Sequence, residues 1–255
     1  GADLGAEKFL DIKCRKANLE PSVVVCVATI KALKYHGGAQ KEETKIENIS
    51  ALDKGLHNLY KHIDNIKNKF GLNVVVAINK YIHDTEKEIS YLRDKLNEKG
   101  IELSVVESWE NGGEGAIDLA KKVIELSNNK TKLNYIYNLD ENIKQKITDV
   151  ATKIYGASGV EFDDEAEEKI NQIEELGYGN LPVCIAKTQY SLSDDDKNLQ
   201  CIEPFNIHVR DVILKSGAEF IVVITGKIMT MPGLPRMPAA EKIDIDENGN
   251  IIGIF

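Results

Sequence analysis

The sequence is poor in several features that mark particular classes of protein. Its 255 residues include only four cysteines, six prolines and one tryptophan. The longest apolar runs, residues 23–28 and 220–224, are far shorter than the roughly 20 residues that a membrane-spanning helix needs. The amino-terminal stretch GADLGAEKFLDIKCR lacks the basic region and apolar run of a secretory signal. The sequence therefore predicts a cytoplasmic protein without membrane spans.

Charge and cysteine usage exclude further classes. The 41 acidic and 32 basic residues give a net charge of −9, and no basic stripe is present that would follow a nucleic acid or an anionic membrane. No C-x-x-C motif occurs, and His57 and His62 are spaced too far apart to share a helix face, so no metal site is predicted. Buried structural thiols are expected at the four cysteines, Cys14, Cys26, Cys184 and Cys201.

Hydrophobic patterning in the first half predicts alternating strands and helices. Residues 22–28 and 73–79 are continuous β-branched runs, typical of strands that are covered on both faces in a parallel sheet, and residues 101–107 form a third run. An apolar stripe at steps of three and four predicts a helix between the first two strands that ends at Gly71. Further helices are expected at residues 85–100 and 115–126. We predict an α/β domain with a mainly parallel sheet and crossover helices over residues 1–130.

The second half shows a different order of elements. Helical patterns at residues 140–155 and 163–176 follow one another with no strand predicted between them. Strands are then expected at residues 182–187, 205–215 and 219–231, and Asn248-Gly249 predicts a hairpin turn. Residues 229–235 and Pro238 are expected to form a rigid connection. Together these patterns predict a smaller α+β domain with a largely antiparallel sheet over residues 131–255.

Two aromatic residues follow neighbouring strands of the predicted parallel sheet. Tyr81 lies directly after the second strand, and Trp109 lies after the third. Ligands bind at the carboxyl ends of such strands, and an aromatic plane there suits a flat heterocycle. The alternative for Trp109 is a side chain that caps the core.

A glycine-rich segment, Gly112-Gly113-Glu114-Gly115, follows Trp109 at the start of a predicted helix. Its backbone N–H groups can receive an anion or a carbonyl, or the segment is a turn without a ligand. The P-loop pattern G-x-x-x-x-G-K-[ST] occurs nowhere in the chain. The acidic run Asp194 to Asp196 is most simply a solvated loop.

Eight long segments carry a family resemblance from one end of the chain to the other. They are GADLGAEKF (1–9), VATIKALKYHGG (27–38), GLHNLYKHIDNIK (55–67), VVVAINKYIHDTEKEI (74–89), WENGGEGAIDLAKKV (109–123), YGASGVEF (155–162), GYGNLPVCIAKTQYSLSDD (177–195) and TGKIMTMPGLPRMPAAEKIDID (225–246). On these segments the chain resembles the C-terminal half of formate–tetrahydrofolate ligase, also called formyltetrahydrofolate synthetase.

The resemblance implies an activity that needs a further domain. In this family ATP, with magnesium, phosphorylates formate to formyl phosphate, and N10 of tetrahydrofolate attacks the formyl carbon to give 10-formyltetrahydrofolate. The P-loop of the family lies in an N-terminal nucleotide-binding domain, which this chain lacks. The resemblance therefore implies no catalytic residue in this chain, inactivity of the chain alone, and a homo-oligomeric enzyme.

The resemblance also implies which residues bind the folate. The pterin ring is gripped between aromatic side chains, and the family's tryptophan matches Trp109. A family leucine corresponds to Val105. The family stretch N-R-F-P-x-D-T reads NKYIHDT here, so its Phe-Pro pair becomes Tyr81-Ile82, which keeps a stacking face but loses a fixed φ. Residues Gly112 to Gly115 are expected to line the same cleft.

A second hypothesis assigns this chain no ligand. Under it, the chain is a non-catalytic folding or oligomerisation module that keeps its subunit contacts and does not bind folate independently.

Overall fold

The computed structural model describes residues 2–201, 203–228, 236–247, 249 and 251–253. Its strands are β1 (Val23–Ala28), β2 (Asn73–Asn79), β3 (Leu103–Val106), β4 (Gly159–Phe162), β5 (Val183–Ala186), β6 (Asn206–Lys215), β7 (Phe220–Thr225), β8 (Asp244–Ile245) and β9 (Ile251–Ile252). Its α-helices are α1 (Ala2–Glu7), α2 (Arg15–Ala17), α3 (Ile30–His36), α4 (Ile49–Asp64), α5 (Glu86–Asn97), α6 (Ser108–Asn111), α7 (Ile117–Ser127), α8 (Ile143–Asp149) and α9 (Asp164–Glu175). π-helical segments extend three of these helices: Lys8–Cys14, Asn65–Lys69 and Val150–Tyr155.

The first sheet is parallel, with strand order β1-β2-β3. The central strand β2 is buried along its whole middle, as its continuous apolar run predicts. The predicted apolar stripe is buried along α4 and the π-helical segment that continues it, and consists of Leu52, Leu56, Leu59, Ile63, Ile66 and Phe70. The helical stretch then stops at Gly71, whose φ of +74° is a left-handed conformation that favours glycine. The predicted crossover arrangement of the first half is therefore confirmed.

The second sheet has the order β4-β6-β7-β5. Its central pair, β6 and β7, is antiparallel because a tight turn joins the two strands, whereas the outer pairs β4–β6 and β5–β7 are parallel. The protein is thus mixed α/β, which confirms the predicted fold class, and antiparallel pairing in this sheet is confined to its centre. The predicted hairpin near Gly249 is also present, as β8 paired with β9.

One strand was missed by the sequence patterns. β4 lies between helices α8 and α9, where two successive helices without a strand were expected. It has only four residues, and it is held by parallel pairing with β6, whose register joins Gly159 to Asn206. So short a run has no periodicity of its own, and its partner lies far along the chain.

The helical stretch formed by residues 2–17 buries three acidic side chains, four residues apart: Asp3, Glu7 and Asp11. Asp3 Oδ2 lies 2.8 Å from Nζ of Lys187. Glu7 Oε1 accepts a hydrogen bond from the Tyr155 hydroxyl at 3.3 Å. Asp11 Oδ1 accepts one from the backbone N–H of Ile136 at 2.9 Å. These partners all belong to the second predicted domain, and the buried core is continuous across both halves. The domain boundary near residue 130 stays a prediction.

Part of the first sheet's face is apolar and exposed. Val25 and Val27 on the edge strand β1 are 36% and 63% exposed, and Ile117 and Ile124 on α7 are 47% and 64% exposed. α7 packs on all three strands of this sheet, yet none of its residues is buried. We call these four side chains the β1–α7 surface. Parallel sheets are usually covered on both faces, so the exposure of Val25 and Val27 on β1 is unusual.

Three further predictions have different outcomes. Residues 229–235, expected to form a rigid connection with Pro238, lie outside the described residues. Cys14 and Cys26 are buried, whereas Cys184 and Cys201 are only partly buried. In the part of the chain that the structure describes, no helix is both long and apolar enough to cross a membrane.

Candidate functional site

The loops after β2 and β3 lie side by side. The two strands are parallel, and Asn79, at the end of β2, pairs in register with Val106, at the end of β3. The backbone N–H of Lys80 continues this pairing by donating to the Val106 carbonyl at 3.0 Å. The carboxyl ends of both strands therefore meet at one edge of the sheet, where ligands bind in open α/β sheets.

The loop after β2 is a tight turn that exposes its apolar side chains. Asp84 accepts a hydrogen bond at Oδ2 from the Tyr81 N–H at 2.9 Å, and its own N–H donates to the Tyr81 carbonyl at 3.0 Å. Thr85 then caps α5 in a reciprocal capping box with Glu88. Within this turn Tyr81 is 47% exposed and Ile82 is 81% exposed. The turn therefore holds an aromatic and an aliphatic side chain out at the sheet edge without the proline that the family pattern has there.

Trp109 lies on α6 in the loop after β3, and it does not cap the core. Its side chain is 64% exposed, and its indole Nε1–H donates to the Lys80 carbonyl at 3.2 Å. The indole is therefore joined to the loop that carries Tyr81. This hydrogen bond holds the two predicted stacking residues at the same edge of the sheet, and the exposure of Trp109 argues against the alternative in which it caps the core.

The glycine-rich segment shapes the rest of this loop. Gly112–Ala116 forms a 3-10 turn that leads into α7. Gly112 has φ +57° and ψ −141°, a conformation open essentially only to glycine. At Gly115 a Cβ would lie 2.5 Å from the Glu107 carbonyl carbon, and the Glu107 N–H donates to the Gly115 carbonyl at 3.1 Å. The glycines thus serve the backbone turn, and their predicted part in lining a cleft stays a prediction.

Val105 lies one position before the end of β3 and is only partly buried. It packs against the core beneath the edge that carries the aromatic residues. Its predicted contact with folate stays a prediction.

Lys80 links the two loops, a role that the sequence patterns did not reveal. Its Nζ lies 2.9 Å from Glu107 Oε1 and 3.0 Å from Glu86 Oε1. Hydrogen bonding to these two carboxylates, Glu107 first, raises the pKa of Lys80 above its ordinary value. The available signal in the sequence was that Lys80 is the first residue after β2 and Glu107 is the first residue after β3.

A second strand edge carries a cavity of about 820 Å³ where the parallel strands β5 and β7 end. The buried Lys187 follows β5 and donates to the main-chain oxygens of Thr188 and Ser191, so it holds one wall of this cavity in place. The cavity is lined by Thr188, Gln189, Tyr190, Asp194, Asp195, Asp196, Lys197, Gly226, Lys227 and Ile228.

Two carboxylates of the acidic run in this wall accept backbone hydrogen bonds, one from strand β6 and one from within the loop. Asp194 Oδ2 accepts from the His208 N–H at 2.8 Å, and Asp195 Oδ1 accepts from the Lys197 N–H at 3.0 Å. Among the described residues, no group of three or more His, Cys, Asp or Glu side chains converges as metal ligands would.

The fold and this edge define a class of protein. It is an α/β protein in which exposed aromatic side chains follow two adjacent parallel strands at one edge of the sheet. Comparison with protein-family models matches residues 1–255 to formate–tetrahydrofolate ligase, and the chain belongs to that family. The resemblance is thereby confirmed, and membership implies a ligase that uses formate, tetrahydrofolate and ATP.

Proposed function

We propose that this chain supplies the folate-binding wall of a formate–tetrahydrofolate ligase. The observation that supports this most directly is the pair of exposed aromatic side chains, Tyr81 and Trp109, on loops that are hydrogen-bonded to each other. A pterin is a flat heterocycle, and aromatic planes bind such rings by stacking. Family membership supplies a folate as the heterocycle.

Each residue of this wall has a distinct part in the proposal. The Trp109 N–H is already used by the Lys80 carbonyl, so the indole is oriented before a ligand arrives. A ring that is fixed in advance loses less conformational entropy on binding. Ile82 adds apolar contact beside Tyr81, and Val105 supports the edge from below.

The other steps of the reaction need groups outside this wall. ATP and formate give formyl phosphate and ADP, and attack by N10 of tetrahydrofolate on the formyl carbon then releases phosphate. We assign the nucleotide and its magnesium to an N-terminal P-loop domain, because the P-loop pattern is absent from these 255 residues. The chain by itself is then a folate binder without ligase activity.

The experiment is calorimetric titration of the chain with tetrahydrofolate. We expect saturable binding that weakens about tenfold or more in Trp109→Ala and in Tyr81→Ala, because base–aromatic stacking contributes about 1–3 kcal/mol per ring. Tyr190→Ala is the matched control, since Tyr190 is also an exposed tyrosine but lies at the second strand edge.

Two results would contradict the proposal. One is equal affinity of the wild type and both aromatic variants. The other, which would overturn only the assignment of the nucleotide site, is formation of 10-formyltetrahydrofolate when the wild-type chain alone is given magnesium, ATP, formate and tetrahydrofolate.

A second candidate function is that of an assembly module, and the β1–α7 surface favours it. Two apolar side chains of the edge strand β1 and two of α7 are exposed. We propose that another copy of the protein covers this surface in a homo-oligomer. Assembly through this surface is compatible with folate binding, since the surface and the aromatic wall involve different side chains. The two candidates differ in that the assembly module would not bind folate independently.

A further inference from the structure

We propose that Lys80 is a positioning residue of the folate site, which sets the distance between the two stacking rings by tying their loops together. This inference rests on the proposed function, because it assigns Lys80 a role only if Tyr81 and Trp109 bind the pterin. Lys80 itself need not touch the ligand.

The main chain of Lys80 joins β2 to the loop after β3. Its N–H donates to the Val106 carbonyl at 3.0 Å, and its carbonyl accepts the Trp109 indole N–H at 3.2 Å. Tyr81 is the next residue along the chain. A displacement of the Lys80 backbone would therefore move one ring directly and remove the hydrogen bond that orients the other.

The side chain of Lys80 fixes this backbone from two further elements. Nζ reaches Glu86, the first residue of α5, and Glu107, which immediately follows β3. Glu107 is itself anchored, because its carbonyl accepts the N–H groups of Glu110 and Asn111 at 3.2 and 2.9 Å. The ammonium thus connects β2, β3 and α5 at the point where both aromatic loops begin.

Solvent exposure indicates how much the ion pairs of Lys80 contribute to the stability of the fold. The side chains of Lys80, Glu107 and Glu86 are 26%, 37% and 80% exposed. Ion pairs at such exposed positions contribute little to global stability. In contrast, the bridge lies between the two ligand-binding loops and therefore affects the distance between them. Small displacements of binding groups have large effects on recognition. We therefore assign the bridge to the geometry of the site and not to the stability of the fold.

The test compares Lys80→Met with Lys80→Arg. Methionine keeps the aliphatic stem but removes the charge, whereas the guanidinium of arginine can still reach both carboxylates. We expect Lys80→Met to weaken tetrahydrofolate binding about fivefold to tenfold and Lys80→Arg to restore it to within about twofold of the wild type. Without ligand, Lys80→Met should also lower the fluorescence anisotropy of Trp109, the one tryptophan of the chain.

The matched control is Lys169→Met. Lys169 also bridges two carboxylates, Glu165 at 2.8 Å and Asp211 at 2.7 Å, but it lies on α9 in the second half. We expect this variant to leave folate affinity and Trp109 anisotropy unchanged. Melting temperatures of all three variants show whether a loss of binding reflects a loss of folding.

The outcomes separate the two proposals. If the wild type binds folate through Trp109 but Lys80→Met binds equally well with unchanged anisotropy, the role of Lys80 is refuted and the proposed function stands. The role of Lys80 is likewise refuted if Lys169→Met has the same effects as Lys80→Met. If the wild type shows no saturable binding of tetrahydrofolate, both proposals fail.

Discussion

Glu7 is a carboxyl group without access to water. It is fully buried, Oε1 accepts from Tyr155, and within the described residues Oε2 has no hydrogen-bond partner. Burial raises the pKa of Glu7 to about 7, from an ordinary value of 4.5, although the adjacent Lys8 ammonium opposes the shift. Near neutral pH the folded protein therefore binds a proton that the unfolded chain has released.

The raised pKa of Glu7 determines whether the free energy of unfolding rises or falls with pH. Between pH 4.5 and pH 7 the folded state binds more protons at Glu7 than the unfolded state, so the free energy of unfolding falls as the pH rises through this window. Glu7→Gln removes the penalty of charging the group. We expect the variant and the wild type to be similar near pH 5, and the variant to be more stable by about 1–3 kcal/mol at pH 8.

Urea denaturation at several pH values measures this difference. Asp11 is also buried with a pKa raised to about 6, so its own titration contributes to the pH dependence of both the variant and the wild type. Glu20→Gln, at an exposed position, is the control and should show no pH-dependent difference. A Glu7→Gln variant that loses stability equally at both pH values would contradict the assignment.

At the scale of residues, the sequence predicts which types of side chain lie at a site more easily than it predicts which side chains contact each other. Tyr81 and Trp109 were predicted because a strand's carboxyl end and an aromatic ring are both visible in the sequence. The bridge from Lys80 to Glu107 was not, because it depends on the register of β2 against β3. The buried acids at positions 3, 7 and 11 were also missed, although their spacing of four was the available signal.

Helices α3 and α4 approach each other closely through two glycines. A Cβ at Gly55, within α4, would lie 1.9 Å from the Leu33 carbonyl oxygen, and one at Gly37, just after α3, would lie 1.7 Å from that of Ala51. Both contacts are with backbone, which cannot move aside as a flexible side chain can. The spacing of these two helices therefore depends on the absence of a side chain at each position.

We accordingly expect Gly55→Ala to destabilise the protein by about 3 kcal/mol, the upper part of the usual range for overpacking. Gly5→Ala is the control, since Gly5 lies in α1 with no atom within 4 Å of its added Cβ. There the better helix propensity of alanine should stabilise by about 0.5–1 kcal/mol. Chemical denaturation measures both, and a neutral Gly55→Ala would show that the helices can separate without loss.

At the scale of elements, local sequence patterns predicted those helices and strands that are stabilised by interactions within the element. The long stripe of α4 and the capping residue Thr85 of α5 are readable because each element satisfies its own hydrogen bonds. β4 was not predictable, since four residues acquire a strand conformation only when β6 is beside them. The parallel outer pairs of the second sheet have the same origin in distant contacts.

For the whole molecule, the β1–α7 surface is the feature that bears on assembly. If another copy covers it, Ile124→Glu should shift the protein to monomers in sedimentation velocity, because it places a charge in an apolar contact. Thermal stability of the monomer should not change, since Ile124 is 64% exposed. Leu176→Glu, at a similarly exposed apolar residue on the other half, should leave the association state unchanged. A wild type that is monomeric at all concentrations would rule out this interface.

The strand order of the second sheet has a consequence for how the chain folds. β4 and β5 emerge first during synthesis, yet each pairs only with a strand of the β6–β7 hairpin, which emerges later. β4 has no neighbour until β6 has been made, and β5 has none until β7 has been made. Long-range parallel pairing of this kind is slow. We therefore expect the segments that become β4 and β5 to stay unpaired during translation until the hairpin strands follow, an interval in which an incomplete sheet is exposed to aggregation.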